Sequence, residues 1–224
     1  MSKVLIFGAG QTAKIAYQYI KNDSSHKIVA FTANAEFIKD KTFLGLPLVP
    51  FETIEEIFPP EEFKMFVAMS YHSLNRLRAS KYDEAKKKKY KLISYVSSKA
   101  GIIGDVQIGD NCFILENQSI QPYVKIGNNV WIWSGVLVGH HTVIGDHCWL
   151  TSEVSIGGNA KIGSYCFLGM NATVGHMVTI GQESFIGAST LITKNAKEKS
   201  VYIAKDTEPY PLDSDRFLMI TKMK

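Results

Sequence analysis

The sequence predicts an α/β N-terminal Rossmann-like domain followed by a left-handed parallel β-helix, divided as residues 1–97 and 98–224. Two observations carry this. From Ile102 to Ile192 every sixth residue is aliphatic, sixteen times without a break. Ahead of that block, short apolar runs alternate with helical stretches, and the first run ends in a glycine-rich turn. A strict period of six suits neither a 3.6-residue helix nor a two-residue strand. It suits coils in which three hexapeptides close one triangular turn.

In chain order, Lys3–Phe7 reads as a short buried strand, and Gly8-Ala9-Gly10-Gln11-Thr12-Ala13 forms a GxGxxA turn into a helix that runs to about Ile20. Strands are expected at Lys27–Phe31, Met65–Met69 and Leu92–Val96, with a helix from about Leu74 to Lys89. Such alternation implies a small parallel sheet. Gly8 and Gly10 would let the backbone approach a diphosphate, with Gln11 and Thr12 offering it N–H groups at the helix start. A dinucleotide site wants an acid after the second strand. Here Phe31-Thr32-Ala33-Asn34 supplies none before Glu36. A mononucleotide diphosphate, such as a nucleotide sugar, fits better; a turn that binds nothing is the other reading.

In the repeat block the aliphatic side chain is expected to fill the interior. Small residues four positions later (Val106, Cys112, Val130, Thr142, Cys148, Ala160, Cys166, Ala172 and Ser184) would sit near the corner. A glycine after the aliphatic, as at Gly109, Gly127, Gly145, Gly163 and Gly181, is expected to allow the turn. Cys112, Cys148 and Cys166 share one slot, and the odd number in a cytoplasmic chain argues for a buried column instead of a disulfide framework.

Composition bounds the partners. No run of 18 apolar residues and no signal-peptide pattern occurs, so a cytoplasmic chain without membrane attachment is expected. The formal charge of +4 lies outside the repeat block, where only Lys125 and Lys161 face six acids. Lys86–Lys89 reads as a solvated helix end; with no interleaved aromatics it gives no nucleic-acid site.

Three of the six histidines, His140, His141 and His147, fall in the middle of the block. A step of 18 residues is one coil, so His140, Gly158 and His176 should stack, with coils about 4.8 Å apart. His140 should point outwards, where a neutral imidazole suits proton abstraction. Trp131, Trp133 and Trp149 flank this region, and a partner subunit or ligand is expected to cover them.

Both halves together resemble the sugar acyltransferases of the sialic acid O-acetyltransferase type, which include amino-sugar nucleotide N-acetyltransferases of bacterial surface glycan (lipopolysaccharide) synthesis. The likeness rests on VLIFGAG with Gly8 and Gly10, Ser94–Ala100, GHHTVIGDH and IGASTLITK from Ile186 to Lys194. It implies a homotrimer that uses acetyl-CoA as acyl donor, no metal, and a nucleotide-linked sugar as acceptor. His140 would be the general base, His141 would stand where an orienting acid is common, and Gly158 N–H would face the thioester carbonyl. Thr151, Met170 and Ala188 would line the CoA arm, and Trp149 replaces a second histidine, with Glu153 an outward acid nearby. The expected reaction is acetyl transfer to the sugar amine, with transfer to a hydroxyl as the alternative. A non-enzymatic trimeric scaffold that binds a nucleotide is the other. The gamma carbonic anhydrases have similar repeats, but their H-x4-H metal pair is missing here, with Asp146 five residues after His141.

Overall fold

A computed structural model describes residues 2–221. Met1 and residues 222–224, the outer ends of the two expected segments, lie outside the described residues. The first part is a sheet ordered β3-β4-β2-β1-β5-β6. Its strands are β1 (Lys3–Phe7), β2 (Lys27–Ala33), β3 (Thr42–Phe43), β4 (Leu46–Pro50), β5 (Phe63–Val67) and β6 (Lys91–Leu92). Only β3 pairs antiparallel, with β4; the remainder is parallel. Helices α1 (Gln11–Asn22), α2 (Ile54–Ile57) and α3 (Arg76–Lys87) connect the strands. The β3–β4 hairpin, which ends in a turn with Leu44 and Gly45 at positive φ, was not among the expected elements.

The chain runs outward from β1 through β2 to β4, then returns to the other side of β1 as β5. The carboxyl ends of β1 and β5 therefore meet at a topological switch point, the usual crevice for ligands of open α/β sheets.

From Tyr95 the chain winds as a left-handed β-helix. Its three flat faces have seven, six and five two-residue parallel strands. The first face runs from Tyr95–Val96 to Val201–Tyr202, the second from Gly101–Ile102 to Leu191–Ile192, the third from Gln107–Ile108 to Thr179–Ile180. Register is eighteen residues per coil as far as Ile192, as in Ile132 against Leu150, and shortens to sixteen at the end, where Ile186 pairs with Tyr202 and Ile180 with Ala196. The interior is the expected aliphatic ladder, with Cys112, Cys148 and Cys166 fully buried in it. Burial raises the Cys112 thiol to about 12, as an inert apolar side chain requires.

Three expectations need correction. The single strand at Leu92–Val96 is two: Lys91–Leu92 closes the α/β sheet, while Tyr95–Val96 is the first rung of the β-helix, pairing with Phe113–Ile114. The glycine after each aliphatic does not supply the turn. A Cβ at Gly127 would lie 2.8 Å from Asp146 N of the next coil, so it is close coil-to-coil approach that excludes a side chain. The left-handed turn conformation falls two residues later, at Asn111, Asn129, His141, His147 and Asn159 among others, residue types that tolerate positive φ best after glycine.

The third correction concerns the tryptophans. Trp131 and Trp149 are buried on the first face beneath the chain's own α/β domain, stacked at 5.0 Å with an 8° interplanar angle. They extend an aromatic column, Tyr95, Phe113, Trp131, Trp149, Phe167 and Phe185, one per coil. Val4, Ile6, Phe31 and Phe66 belong to the same apolar cluster. No partner subunit is needed to cover Trp131 and Trp149, while Trp133 stays half-buried at the edge of a cleft where a ligand could cover it.

Candidate active site

A cleft of about 700 Å³ opens at the switch point. Gly8, Gly10, Gln11 and Thr12 all line it, so the structure brings this predicted group together. Gly8 has φ +127°, and a Cβ there would lie 2.6 Å from Ala68 O, so only glycine fits between β1 and β5. A Cβ at Gly10 meets nothing within 4 Å, which leaves open space above the start of α1. Gly10 is the N-cap and makes no side-chain cap bond, and no acid occupies the first turn. The free N–H groups and the helix dipole therefore favour an anion. No carboxylate lines the cleft; its one charged residue is Lys81. Asn34 Oδ1 and the Trp133 indole N–H border it, buried and without a partner among the described residues.

The far wall is formed by Ser70, Tyr71 and His72, at the start of the segment 70–75. Ser73, Leu74 and Asn75 all have positive φ, a single left-handed turn without glycine. Such backbone persists only when its surroundings over-determine it. Here they do. The Asn75 side-chain amide donates to Cys166 O at 3.3 Å, and its Oδ1 accepts from Arg78 Nη1 at 3.1 Å. Arg78 is fully buried and donates to Asn129 Oδ1 and to the carbonyls of Ser70, Asn129, His147 and Cys148. Its guanidinium also lies 5.1 Å from the Trp149 ring centroid. Burial lowers its pKa to about 9, which leaves it charged at neutral pH. Arg78 thus ties the cleft wall to two coils of the β-helix, and Asn75 ties it to a third.

The histidines stand elsewhere, at the corner between the second and third faces. His140 and His141 are exposed, and their Nδ1 atoms lie 3.1 Å apart. The His140 ring lies over Gly158, where a Cβ would come within 2.8 Å of Nε2. Across Gly158 the His176 ring follows at 6.2 Å, as the eighteen-residue step predicts. His140 N donates to Gln121 Oε1 at 2.9 Å, and Tyr123 packs its ring 4.8 Å from that of His141. The arrangement offers an outward imidazole nitrogen beside a backbone N–H, that of Gly158, with no acceptor among the described residues. His147 is different: its ring is buried at the next corner, Nδ1 lies 2.9 Å from Asn129 Nδ2, and burial lowers its pKa.

Thr151, Met170 and Ala188 lie at the corner between the first and second faces, not at the histidine corner. Thr151 Oγ1 donates to Leu168 O at 2.9 Å, while Met170 is 54% exposed. Glu153 occupies the same corner, where a Cβ at Gly135 would strike its carboxylate. Trp149 is buried under the α/β domain, so neither residue accompanies His140 within one chain. Sequence reasoning missed the aromatic column and Arg78. The first had a signal, aromatics recurring every eighteen residues from Tyr95 to Phe185; a lone arginine in a polar helix had none.

Residues 123–158 and 154–194 match the bacterial transferase hexapeptide (six repeats) family. These coils are built of hexapeptide repeats. A comparison with curated proteins gives no match. Among solved structures, the chain is similar to a histidine-to-asparagine mutant of perosamine N-acetyltransferase from Caulobacter crescentus in complex with CoA and GDP-perosamine. The TM-score is 0.80 at 23% identity, covering 91% of this chain and 94% of that one. It is also similar to the acetyltransferase domain of PglB from Neisseria gonorrhoeae (TM-score 0.76, 18% identity, 90% and 96% covered). WeeI from Acinetobacter baumannii gives the same score and identity over 91% and 97%. At these identities what is shared is the fold, and it is shared across both the α/β domain and the hexapeptide coils.

Proposed function

We propose that the protein is an acetyl-CoA-dependent N-acetyltransferase acting on a nucleotide-linked amino sugar. The observation that carries this is the outward His140 imidazole, fixed through Nδ1 and lying beside the unpaired N–H of Gly158. The acid-free cleft at the start of α1 supplies the complementary half, a seat for the nucleotide diphosphate. The Caulobacter relative, crystallised with CoA and GDP-perosamine, supports the substrate class.

In this reading His140 Nε2 takes a proton from the sugar amine as its nitrogen attacks the acetyl carbonyl carbon. The Gly158 N–H stabilises the oxyanion, a contribution on the order of 3–4 kcal/mol for one donor. The C–S bond then breaks and the CoA thiolate takes the proton back from Nε2. Thr151, Met170 and Ala188 would hold the CoA arm. The proposed step uses no metal; among the described residues of one chain no group of three histidine, cysteine or acidic side chains could hold one.

Within one chain the cleft borders the first face, the CoA residues lie at the corner beyond it, and His140 lies one corner further. A homotrimer, in which a neighbour's histidine corner meets this chain's cleft, would complete the site. Leu137 and Val143, exposed on either side of His140, fit such a contact. Among the described residues no helix is long and apolar enough to cross a membrane. We place the enzyme in the cytoplasm, in the synthesis of bacterial surface glycans.

The test is thiol release from acetyl-CoA against a panel of nucleotide-linked amino sugars and their hydroxyl counterparts. Release with the amino sugars alone is expected. Release with the hydroxyl sugars alone would make this an O-acetyltransferase, and no release with any of them would leave only a nucleotide-binding scaffold.

A further inference from the structure

We infer that His140 and His141 work as one proton-sharing base, in which His141 sets the tautomer of His140 and takes up its second proton during turnover. This rests on the acetyltransferase reading of His140. The Nδ1–Nδ1 separation of 3.1 Å admits one hydrogen and no more. Nε2 of His140 has a lone pair for the substrate only if its own Nδ1 carries the hydrogen and donates it to His141 Nδ1. His141 must then be neutral and protonated on Nε2. If His141 becomes an imidazolium, its Nδ1–H donates instead, and His140 is left with its hydrogen on Nε2. A single proton on the pair therefore removes the base whichever ring takes it.

The same geometry moves charge in turnover. As His140 Nε2 accepts the amine proton, the hydrogen on its Nδ1 passes to Nδ1 of His141. His141 carries the positive charge while the nitrogen–carbon bond forms and the carbon–sulfur bond breaks. Nε2 of His140 then protonates the thiolate, and His141 returns its Nδ1 hydrogen, restoring the starting pair.

The backbone makes the arrangement persistent. His141 occupies the left-handed slot of its coil, φ +59°, and its N donates to Pro122 O at 3.2 Å. The Tyr123 ring, packed against it, offers a π-face to the transient imidazolium. The groups that bond or pack against the pair among the described residues include Gln121, Pro122, Tyr123, Gly158, Asn159 and His176; of these Tyr123 and His176 carry ionisable side chains. No carboxylate holds either ring. A carboxylate at 141 would orient His140 equally well but would favour its charged form.

Histidine ¹⁵N NMR on the whole protein at pH 8 reads the tautomers without reference to activity. Expected is hydrogen on Nδ1 of His140 and on Nε2 of His141. In His141→Ala, His140 should revert to the Nε2–H form, and kcat should fall with KM for acetyl-CoA unchanged. His141→Glu should keep the Nδ1–H form of His140 and move the acid limb of kcat/KM to higher pH by about one unit. Hydrogen on Nε2 of His140 in the wild type, an unchanged tautomer in His141→Ala, or an unmoved acid limb in His141→Glu would each overturn the pair. If the tautomers are as expected while no acetyl transfer occurs with any acceptor, the hydrogen-bonded pair stands and the acetyltransferase reading fails.

Discussion

His140 and Gly158 define each other. The imidazole can lie flat on the next coil only because residue 158 has no side chain, and the same lack of a side chain leaves the 158 N–H open to a substrate oxygen. Replacing Gly158 with Ala should push the ring off its seat, since the new Cβ would fall 2.8 Å from Nε2. Gly158→Ala is therefore expected to lower kcat without unfolding the coil, because the Gly158 φ is not in the left-handed range. Circular dichroism should be unchanged. His140→Ala should lower kcat by roughly 10²- to 10⁴-fold, the ordinary contribution of a general base. Thermal stability should hold, since the side chain contributes nothing to the interior. A variant with near wild-type turnover would remove His140 from the chemistry. This pair was legible in the sequence because an eighteen-residue step is fixed by the fold. What His141 does was not legible, because the approach of two adjacent rings depends on a positive φ that the hexapeptide pattern does not announce.

At the scale of elements, the cleft depends on the start of α1 and on the segment 70–75. Gly10→Val would place its side chain in the open space above α1, where a Cβ meets no atom within 4 Å. KM for the nucleotide sugar should rise at least tenfold while KM for acetyl-CoA changes little; equal constants to wild type would make the turn merely structural. Arg78 is the opposite case, a residue with no substrate to touch. Arg78→Ala leaves Asn75 Oδ1 and the carbonyls of Ser70, Asn129 and His147 without their donor, each costing about 1–3 kcal/mol, while Asn129 Oδ1 keeps the Asn111 amide and Cys148 O keeps Trp131 N. The loss in chemical denaturation should exceed about 3 kcal/mol, and Arg78→Lys should recover only part, since one ammonium cannot reach acceptors on two coils and in the cleft wall at once. A loss under about 1 kcal/mol would show that water replaces the guanidinium. The β-α-β beginning and the helix rungs were readable because local apolar pattern specifies them. The β3–β4 hairpin and the left-handed turn at Ser73–Asn75 were not. The first is too short for periodicity, and the second is held by partners outside the segment, Arg78 and the Cys166 carbonyl, acting on Asn75.

At the scale of the molecule, the tryptophans show why covering a surface and building a site are separate questions. Burial of Trp131 and Trp149 beneath the α/β domain fixes where the cleft faces, and it faces away from the histidine corner of its own chain. Catalysis by the proposed residues then requires two copies, one giving the cleft and one giving His140. This can be tested without seeing the assembly. His140→Ala retains the cleft and lacks the base; Gly10→Val retains the base and has a blocked cleft. Each alone should be nearly inactive at low nucleotide-sugar concentration. Coexpressed in equal amounts with different tags and purified through both, they should form mixed assemblies. In a cyclic assembly with random composition, about a quarter of the shared sites would combine an intact cleft with an intact neighbouring histidine. Activity should therefore return to roughly that fraction of wild type, before correction for tag selection. Light scattering should give three times the chain mass for wild type and both variants. If the mixed assemblies are no more active than the average of the two parents, cleft and base act within one chain, and the α/β domain would have to move around the helix to bring them together. If light scattering finds monomers at micromolar concentration, the shared site is excluded outright, because the distance between the two corners is built into the coil.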